Sequence, residues 1–528
     1  MPTFGFEGEN AREKVIVLLT MCFALAMAML DNTVVNVALP RISEDLHAGV
    51  SGLQWIVDGY VLAFASLLLT GGILGDRYGR KKTFMSGLAV FTLASLACGL
   101  SQSTGQLVGF RAIQGIGAAL LMPGTLSIIT VTFPAHERAR AIGLWAGMSG
   151  LALALGPTLG GLMVEHIGWE SVFFLNVPIG VIAFLTALTT VRESVSEIER
   201  RLDIPGLILG TGALFSVTYA LIEANQRGWS DSLIVAALVG FVLLAAAFLL
   251  WEMRNQHPMM PLRFFRIPAF SAGNTVAFSV SLGMFAMFFF FSLYLQLIRG
   301  YSPFEAGYRF LPMTLAIIVT APNAGRFAQK HGSRIPMTYG LALAGLGTLL
   351  LGVTMQVDTS YWYIMPIFVV MGHGLGATMA PMTAAVMNAV GPQRAGLGSA
   401  MTNTSREVGG VLGIAVLGTI LTTRLKDSLA PALSSLSLPP QQQAAIGEAA
   451  SHGTLDPALL RGLDPVMKVR IKQAFATSFM DGFHLALLTG AAVLLIAALV
   501  AWTWVPHGGH AREDVGGEPA REPVAIEV

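Results

Sequence analysis

Apolar runs of about 18–25 residues recur fourteen times along this 528-residue chain, and each is long enough to cross a bilayer as a helix. They cover residues 15–37, 53–75, 83–100, 107–129, 141–164, 172–190, 204–221, 233–251, 269–295, 306–325, 337–353, 364–387, 396–421 and 484–505. Charged residues make up 12% of the chain, about half of what a soluble domain carries. This predicts an all-α polytopic membrane protein. The net charge of +1 points to no acidic partner such as nucleic acid. Cys22 and Cys98 both lie in apolar runs, so neither a disulfide framework nor a metal site is expected. The first run is too long for a signal-peptide core and is expected to remain as a helix.

Charge placement orients the spans. With the N-terminus in the cytoplasm, 18 Lys and Arg fall in the N-terminal segment and cytoplasmic loops, against three (Arg41, Arg227 and Arg299) in short outer loops. Cytoplasmic loops are enriched in cations. The expectation is a multi-pass protein of the cell membrane with both termini cytoplasmic.

The chain echoes itself. Gly72-x-x-x-Asp76-x-x-Gly79 returns as Gly325-x-x-x-Gln329-x-x-Gly332, and Gly115-Ile-Gly117-Ala118 as Gly374-Leu-Gly376-Ala377. Two six-helix bundles related by an axis along the membrane normal, with two extra helices between them, would give this pattern. The expected division is a cytoplasmic segment 1–14 and an N-terminal bundle 15–190. A linker 191–267 carries the extra helices, 204–221 and 233–251, and precedes a C-terminal bundle 268–506. An external loop, 425–483, interrupts that bundle; its later part has Met467, Ile471, Phe475 and Phe479 at fourfold spacing and suits an interfacial helix. The polar tail 507–528 is expected to be disordered. Gln329 replaces the acid of the first motif, so chemistry is expected mainly in the first half.

Ionisable groups inside spans cost free energy and need a reason. Asp31, within Leu30–Pro40, is placed to load and release a proton; Asp58, with Gln54 one turn back, suits a second proton site or a counter-charge for a cationic substrate. Arg111 needs a carboxylate or carbonyls, and Asp31 and Asp58 lie at comparable depth. An Arg–Asp contact that breaks on protonation would couple proton to conformation. In the second half Glu407 is the candidate acid, beside Arg406, while His373 reads as a neutral, hydrogen-bonded side chain. Gly147, Gly150, Gly156-Pro157 and Gly160-Gly161 crowd the fifth span, as in a helix that bends and packs backbone to backbone. The aromatic run from Met284 to Tyr294 faces all directions, so most of it is expected to meet lipid, with part lining an apolar cavity.

Gly72-Ile-Leu-Gly-Asp76-Arg77-Tyr-Gly79-Arg80-Lys81-Lys82 resembles the signature loop of the major facilitator superfamily. Leu30–Pro40 resembles the first-helix motif of its fourteen-helix drug:proton antiporter family, the EmrB/QacA type. Leu107-x-x-x-Arg111-x-x-Gln114-Gly115-x-Gly117 resembles the superfamily's fourth-helix motif. Gly156-Pro157-x-x-Gly160-Gly161 resembles the antiporter motif, with Ala152 where Gly is usual, and Trp169–Gly180 the entry into helix six, with Glu170 where Arg is common. The resemblance implies proton-driven export of lipophilic or cationic small molecules by alternating access. In that scheme Asp76 and Arg77 latch a cytoplasmic gate, with Gly72, Gly79 and Arg80 in the same loop. Asp31, Asp58 and Arg111 handle proton or substrate, and Pro157 serves exchange. No cofactor is expected beyond the proton gradient, no partner beyond substrate, protons and membrane lipid, and the protein is expected to be a monomer. A dedicated exporter of one endogenous metabolite or of lipid fits the same residues, as does, less well, a receptor or scaffold that has kept the fold. No nucleophile–base pair or nucleotide-binding loop supports an enzyme.

Overall fold

A computed structural model describes residues 11–195, 202–256, 258–390, 395–436 and 463–506, with isolated positions between 438 and 446. The tail from 507 onward and the centre of the 425–483 segment lie outside the described residues. Regular structure among the described residues is helical, because a backbone in lipid must satisfy its polar groups within its own segment. The helices in order are α1 (Ala11–Leu46), α2 (Val50–Tyr78), α3 (Arg80–Gly99), α4 (Thr104–Thr132), α5 (Ala135–His166), the short α6 (Ser171–Phe174), α7 (Asn176–Thr190), α8 (Ile204–Arg227) and α9 (Ser232–Arg254). There follow α10 (Pro268–Leu293), α11 (Pro303–Arg309), α12 (Leu311–His331), α13 (Arg334–Thr354), α14 (Tyr361–Val390), α15 (Ala395–Ser434) and α16 (Pro465–Trp504). Twelve helices among the described residues are long and apolar enough to cross a membrane. The expected span 141–164 falls on α5 and 306–325 on α11 and α12, and α5 and α12 pack lengthwise on α1 and α14.

Helix contacts fall into two similar sets. In one, α2 and α3 pack on α4, and α1 packs on α5 and α7; in the other, α12 and α13 pack on α14, and α10 and α16 pack on α15. Glycines make the similarity visible. A Cβ at Gly87 of α3 would stand 2.8 Å from the Gly117 carbonyl of α4, and one at Gly117 would stand 2.9 Å from the Gly87 carbonyl. Gly340 of α13 and Gly374 of α14 face each other in the same way, at 2.4 and 2.5 Å. Gly115 abuts the Tyr60 carbonyl on α2, while Gly372 abuts the Met313 carbonyl on α12. By packing role, Gly372-His373-Gly374 is therefore the counterpart of Gly115-Ile116-Gly117. The sequence echo was set two residues too late, because the small-residue spacing repeats along α14 and letters alone do not fix the register.

Two other expectations change. The 425–483 segment is not a loop at its ends: α15 runs on to Ser434, and the last helix starts at Pro465. Leu425, Leu429 and Leu433 are buried along α15, and Ile471, Phe475 and Phe479 along α16, so the fourfold spacing marks the core-facing stripe of a long helix rather than a separate interfacial one. The aromatic run of α10 meets protein instead of lipid. Met284 to Phe291 and Tyr294 are all buried, because α10 packs against α14, α15 and α16 and also touches α1. Part of it does line an apolar cavity, with Met284, Met287 and Phe290 facing Thr348, Met371 and Phe483.

The helix pair α8–α9 packs mainly on itself, and α8 also lies against α2 and α15. Asp203 caps α8, accepting from Gly206 N–H at 3.0 Å and from Trp251 Nε1 at 2.7 Å. Burial would push its carboxyl up, but these bonds, with others from Asn255 and Met259, hold it below the usual carboxylate range.

Candidate functional site

The signature loop is a turn between α2 and α3. Gly79 has φ +115°, a backbone conformation that costs little only without a Cβ, and a Cβ there would also strike the Glu193 carboxylate. Gly332, its echo between α12 and α13, has φ +87°. Glu193 accepts from the backbone N–H groups of Lys81 and Lys82 at 3.0 and 3.2 Å, placing an anion at the start of α3. The loop sequence does not reveal this acid, which lies more than a hundred residues away. Asp76 pairs with Arg80 at 3.0 Å, one turn on, while Arg77 is exposed with its guanidinium over the Tyr78 ring. Of the two residues expected to latch the cytoplasmic gate, Asp76 is thus held by Arg80 and Arg77 is exposed.

The first helix set encloses a charged cluster. Arg111 of α4 donates through Nη1 to Asp31 of α1 and, at 2.7 Å, to Gln114 Oε1, and through Nε to the Ile56 carbonyl of α2 at 3.0 Å. Gln114 Nε2 donates to Asp31 Oδ1 at 2.9 Å and to Ser95 Oγ of α3 at 2.8 Å, and Asn176 Nδ2 of α7 reaches Asp31 Oδ1 at 3.0 Å. Asp31 and Arg111 are 2% and 1% exposed, so this is a buried ion pair in which other donors fill the remaining lone pairs of the acid. Arg111 also lies over the Tyr60 ring, 4.3 Å from its centroid. The spacing of Arg111 and Gln114 could be read on one helix. Ser95, Asn176 and Tyr60 were missed as partners, since isolated polar residues in three other apolar runs carry no sign of where they point.

Asp58 does not join the cluster. It is 0% exposed, and neither carboxylate oxygen has a hydrogen-bond partner among the described residues. Glu407 of α15 is also buried, its Oε2 without a partner, and it forms no ion pair with Arg406. A charged carboxylate kept in such surroundings costs several kcal/mol, roughly. Both acids lie on helices that pack against each other, α2 and α15, along the meeting of the two helix sets. His373 is hydrogen-bonded, its Nδ1 lying 2.9 Å from Thr320 Oγ1.

The two sets are joined at one end. Among the described residues, the direct hydrogen bonds between α1–α7 and α10–α16 lie toward the end opposite the Asp76 loop. Gln54 Nε2 donates to the Ile414 carbonyl at 3.0 Å, Ser292 Oγ to Asn36 O at 2.7 Å, and Gln296 Nε2 to Val37 O at 3.0 Å. Glu165 at the end of α5 accepts from Ser302 Oγ and from the Phe304 N–H at the start of α11. Beside it, the 156–161 glycines work as closely as their spacing suggests. Cβ atoms at Gly156 and Gly160 would strike Thr33 and Val34 of α1, and at Gly161 one would stand 2.4 Å from the Pro303 carbonyl. Gly307 of α11 returns the contact onto the Pro157 carbonyl. So α5 seals the two sets backbone to backbone.

A charged cluster enclosed by membrane helices, with two helix sets clasped at one end, defines a membrane transport protein. The chain belongs to the Major Facilitator Superfamily, whose model matches residues 21–414. A tetracenomycin C resistance and export protein of Streptomyces glaucescens is 37% identical to it over 494 residues, covering 92% of this chain and 90% of the relative. A methylenomycin A resistance protein of Streptomyces coelicolor is 39% identical over 422 residues, covering 80% and 88%. Multidrug resistance protein Stp of Mycobacterium tuberculosis is 33% identical over 506 residues, covering 94% and 93%. The fold is similar to the crystal structure of a bacterial homolog of the human lysosomal transporter Spinster in an inward-facing, unoccupied conformation. The TM-score is 0.63 at 17% identity, covering 94% of this chain and 99% of that one.

Proposed function

We propose that this protein is a proton-coupled efflux transporter that exports lipophilic, often cationic, compounds by alternating access. The relatives named above for antibiotic resistance, multidrug resistance and export support the efflux part. The observation that carries the proton part is the buried Asp31–Arg111 pair. Protonating Asp31 removes the charge that holds the guanidinium, and losing that proton restores it, so one proton switches the contact between α1 and α4. Asp58 and Glu407, enclosed without full partners, are the acids left to take a second proton or to face a cationic substrate. The clasp at the α5–α11 end corresponds to an outer gate that is shut, and the Asp76 end to the cytoplasm.

In this reading α5 and α12 also span the membrane, beside the twelve helices counted among the described residues, giving fourteen spans of the EmrB/QacA type. They divide into an N-terminal six-helix bundle, an inserted pair α8–α9, and a C-terminal six-helix bundle. The outward-lying extensions of α15 and α16 belong to the second bundle. The protein works as a monomer in the cell membrane. Two of the relatives are named for a single antibiotic, which favours a narrower second reading, export of one compound.

The test is efflux of ethidium from proteoliposomes under an imposed proton gradient, wild type beside Asp31→Asn and Asp58→Asn. Antiport predicts transport that stops when the gradient collapses and a loss of at least tenfold, roughly, in Asp31→Asn. Efflux indifferent to the gradient in folded wild type would sink the proton reading. Transport of one antibiotic with no competition from ethidium would favour the narrow exporter.

A further inference from the structure

Tyr60 of α2 is fully enclosed, yet its hydroxyl has no hydrogen-bond partner. Its ring is fixed from several sides. Phe64 stacks on it at 6.0 Å, Phe91 of α3 meets it edge-on at 6.5 Å, and its own carbonyl is pressed against Gly115 of α4. One face of the ring carries the Arg111 guanidinium at 4.3 Å, while Phe173 holds the same guanidinium at 5.8 Å. A cation over an aromatic face is held more strongly when both are desolvated, and the ring also fixes where the cation sits. Tyr60 lies six residues from Gln54 along α2, and Glu407 lies seven residues from Ile414 along α15, the two packed helices being joined by the bond from Gln54 Nε2 to the Ile414 carbonyl. Tyr60 thus stands between the Asp31–Arg111 pair of its own helix set and the side of α15 that carries Glu407, whose Oε2 also lacks a partner among the described residues.

We infer that Tyr60 is a positioning residue of the coupling site: its ring holds Arg111 against Asp31, and its hydroxyl is the group through which Glu407, across the interface, acts on that pair. This rests on the proton-coupled reading of Asp31 and Arg111. A buried hydroxyl with no fixed partner is free to turn. It donates toward Glu407 when that acid is charged and away from it when the acid is neutral, so the dipole beside Arg111 reverses with the state of the second half. Alternating access needs such a link, since a proton bound in one half must be felt by the other. The ring and the hydroxyl make separable contributions.

Gradient-driven ethidium efflux by the full-length protein in proteoliposomes, measured from pH 5 to 9, separates them. The variants are Tyr60→Phe, Tyr60→Leu, Glu407→Asp and the double variant Tyr60→Phe/Glu407→Asp. For any variant silent in efflux, tetraphenylphosphonium binding to the solubilised protein supplies the pH profile. Tyr60→Phe keeps the ring and is expected to hold KM within about twofold, whereas Tyr60→Leu is expected to lose at least tenfold, roughly, in maximal rate. Glu407→Asp alone is expected to displace the pH profile, and that displacement is expected to vanish when Tyr60 is Phe. Equal displacement in both backgrounds, or none in either, overturns the hydroxyl link. A Tyr60→Leu protein with a wild-type rate and profile overturns the ring contribution. Failure of the underlying reading shows separately, as wild-type efflux that ignores the gradient.

Discussion

Arg111 meets acceptors on three helices at once, Asp31 of α1, Ile56 O of α2 and Gln114 of its own α4, and only a planar guanidinium presents donors in those directions together. Lysine keeps the charge but can satisfy fewer of these acceptors, leaving a carbonyl or the Gln114 amide unpaired in a buried site. Arg111→Lys is therefore expected to fold, to run as a monodisperse peak, and to lose at least tenfold, roughly, in gradient-driven efflux, while Arg111→Ala loses about 3–5 kcal/mol of stability by stranding Asp31. Wild-type efflux in Arg111→Lys would show that the charge alone matters. At this scale the sequence was half legible. Asp31 and Arg111 stood out because a charge in an apolar run is costly, and the same cost makes pairing the natural outcome. Which acid is the partner was not legible, because Asp31 and Asp58 lie at similar depth. Their difference is one of direction: Asp31 turns toward α4 and α7, whereas neither Asp58 oxygen meets a hydrogen-bond donor among the described residues.

Among the elements, α5 decides how the two helix sets meet. Its Gly160 rests on α1 in its own set and its next residue, Gly161, on α11 in the other, so one helix turn touches both sides of the seam. The Glu165 carboxylate one turn on adds charge-assisted bonds to the start of α11. Gly161→Val forces these backbones apart by placing carbon where the Pro303 carbonyl lies. In a background without Cys22 and Cys98, a cysteine placed at Val37, buried beneath the clasp, is expected to react with a membrane-impermeant maleimide from the outer side about tenfold faster once Gly161→Val is added. An unchanged rate would mean that the clasp does not hold the seam shut. The glycine spacing announced close packing in the sequence; the partner helix did not announce itself, because α11 is a short segment whose apolar pattern resembles many others. The aromatic stretch of α10 misled for a related reason. A helix apolar on all sides suits lipid and a crowded interior equally, and only its central place among α14, α15 and α16 decides between them.

For the whole molecule, the proposed orientation rests on where cations collect, and two exposed positions test it. Tyr78 beside the signature loop is 55% exposed and Trp229 between α8 and α9 is 47% exposed. In the same cysteine-free background, Tyr78→Cys is expected to label with an impermeant maleimide only in inside-out vesicles, and Trp229→Cys only in right-side-out ones. The reverse pattern would invert the assignment of both gates. By itself, the sequence determined that the chain is a series of apolar helices lying near the expected runs, and it picked out the few charges that a membrane interior tolerates only for a reason. Those properties are local: hydrophobic length, backbone hydrogen bonding and the cost of a buried charge act within one segment. Tertiary structure alone decided the rest. It paired Arg111 with Asp31, left Asp58 and Glu407 without full partners, placed Tyr60 over Arg111, shifted the glycine repeat by two residues, and continued α15 and α16 beyond the expected spans. Each of these depends on which faces of distant helices meet, and that is settled by the packing of all of them at once.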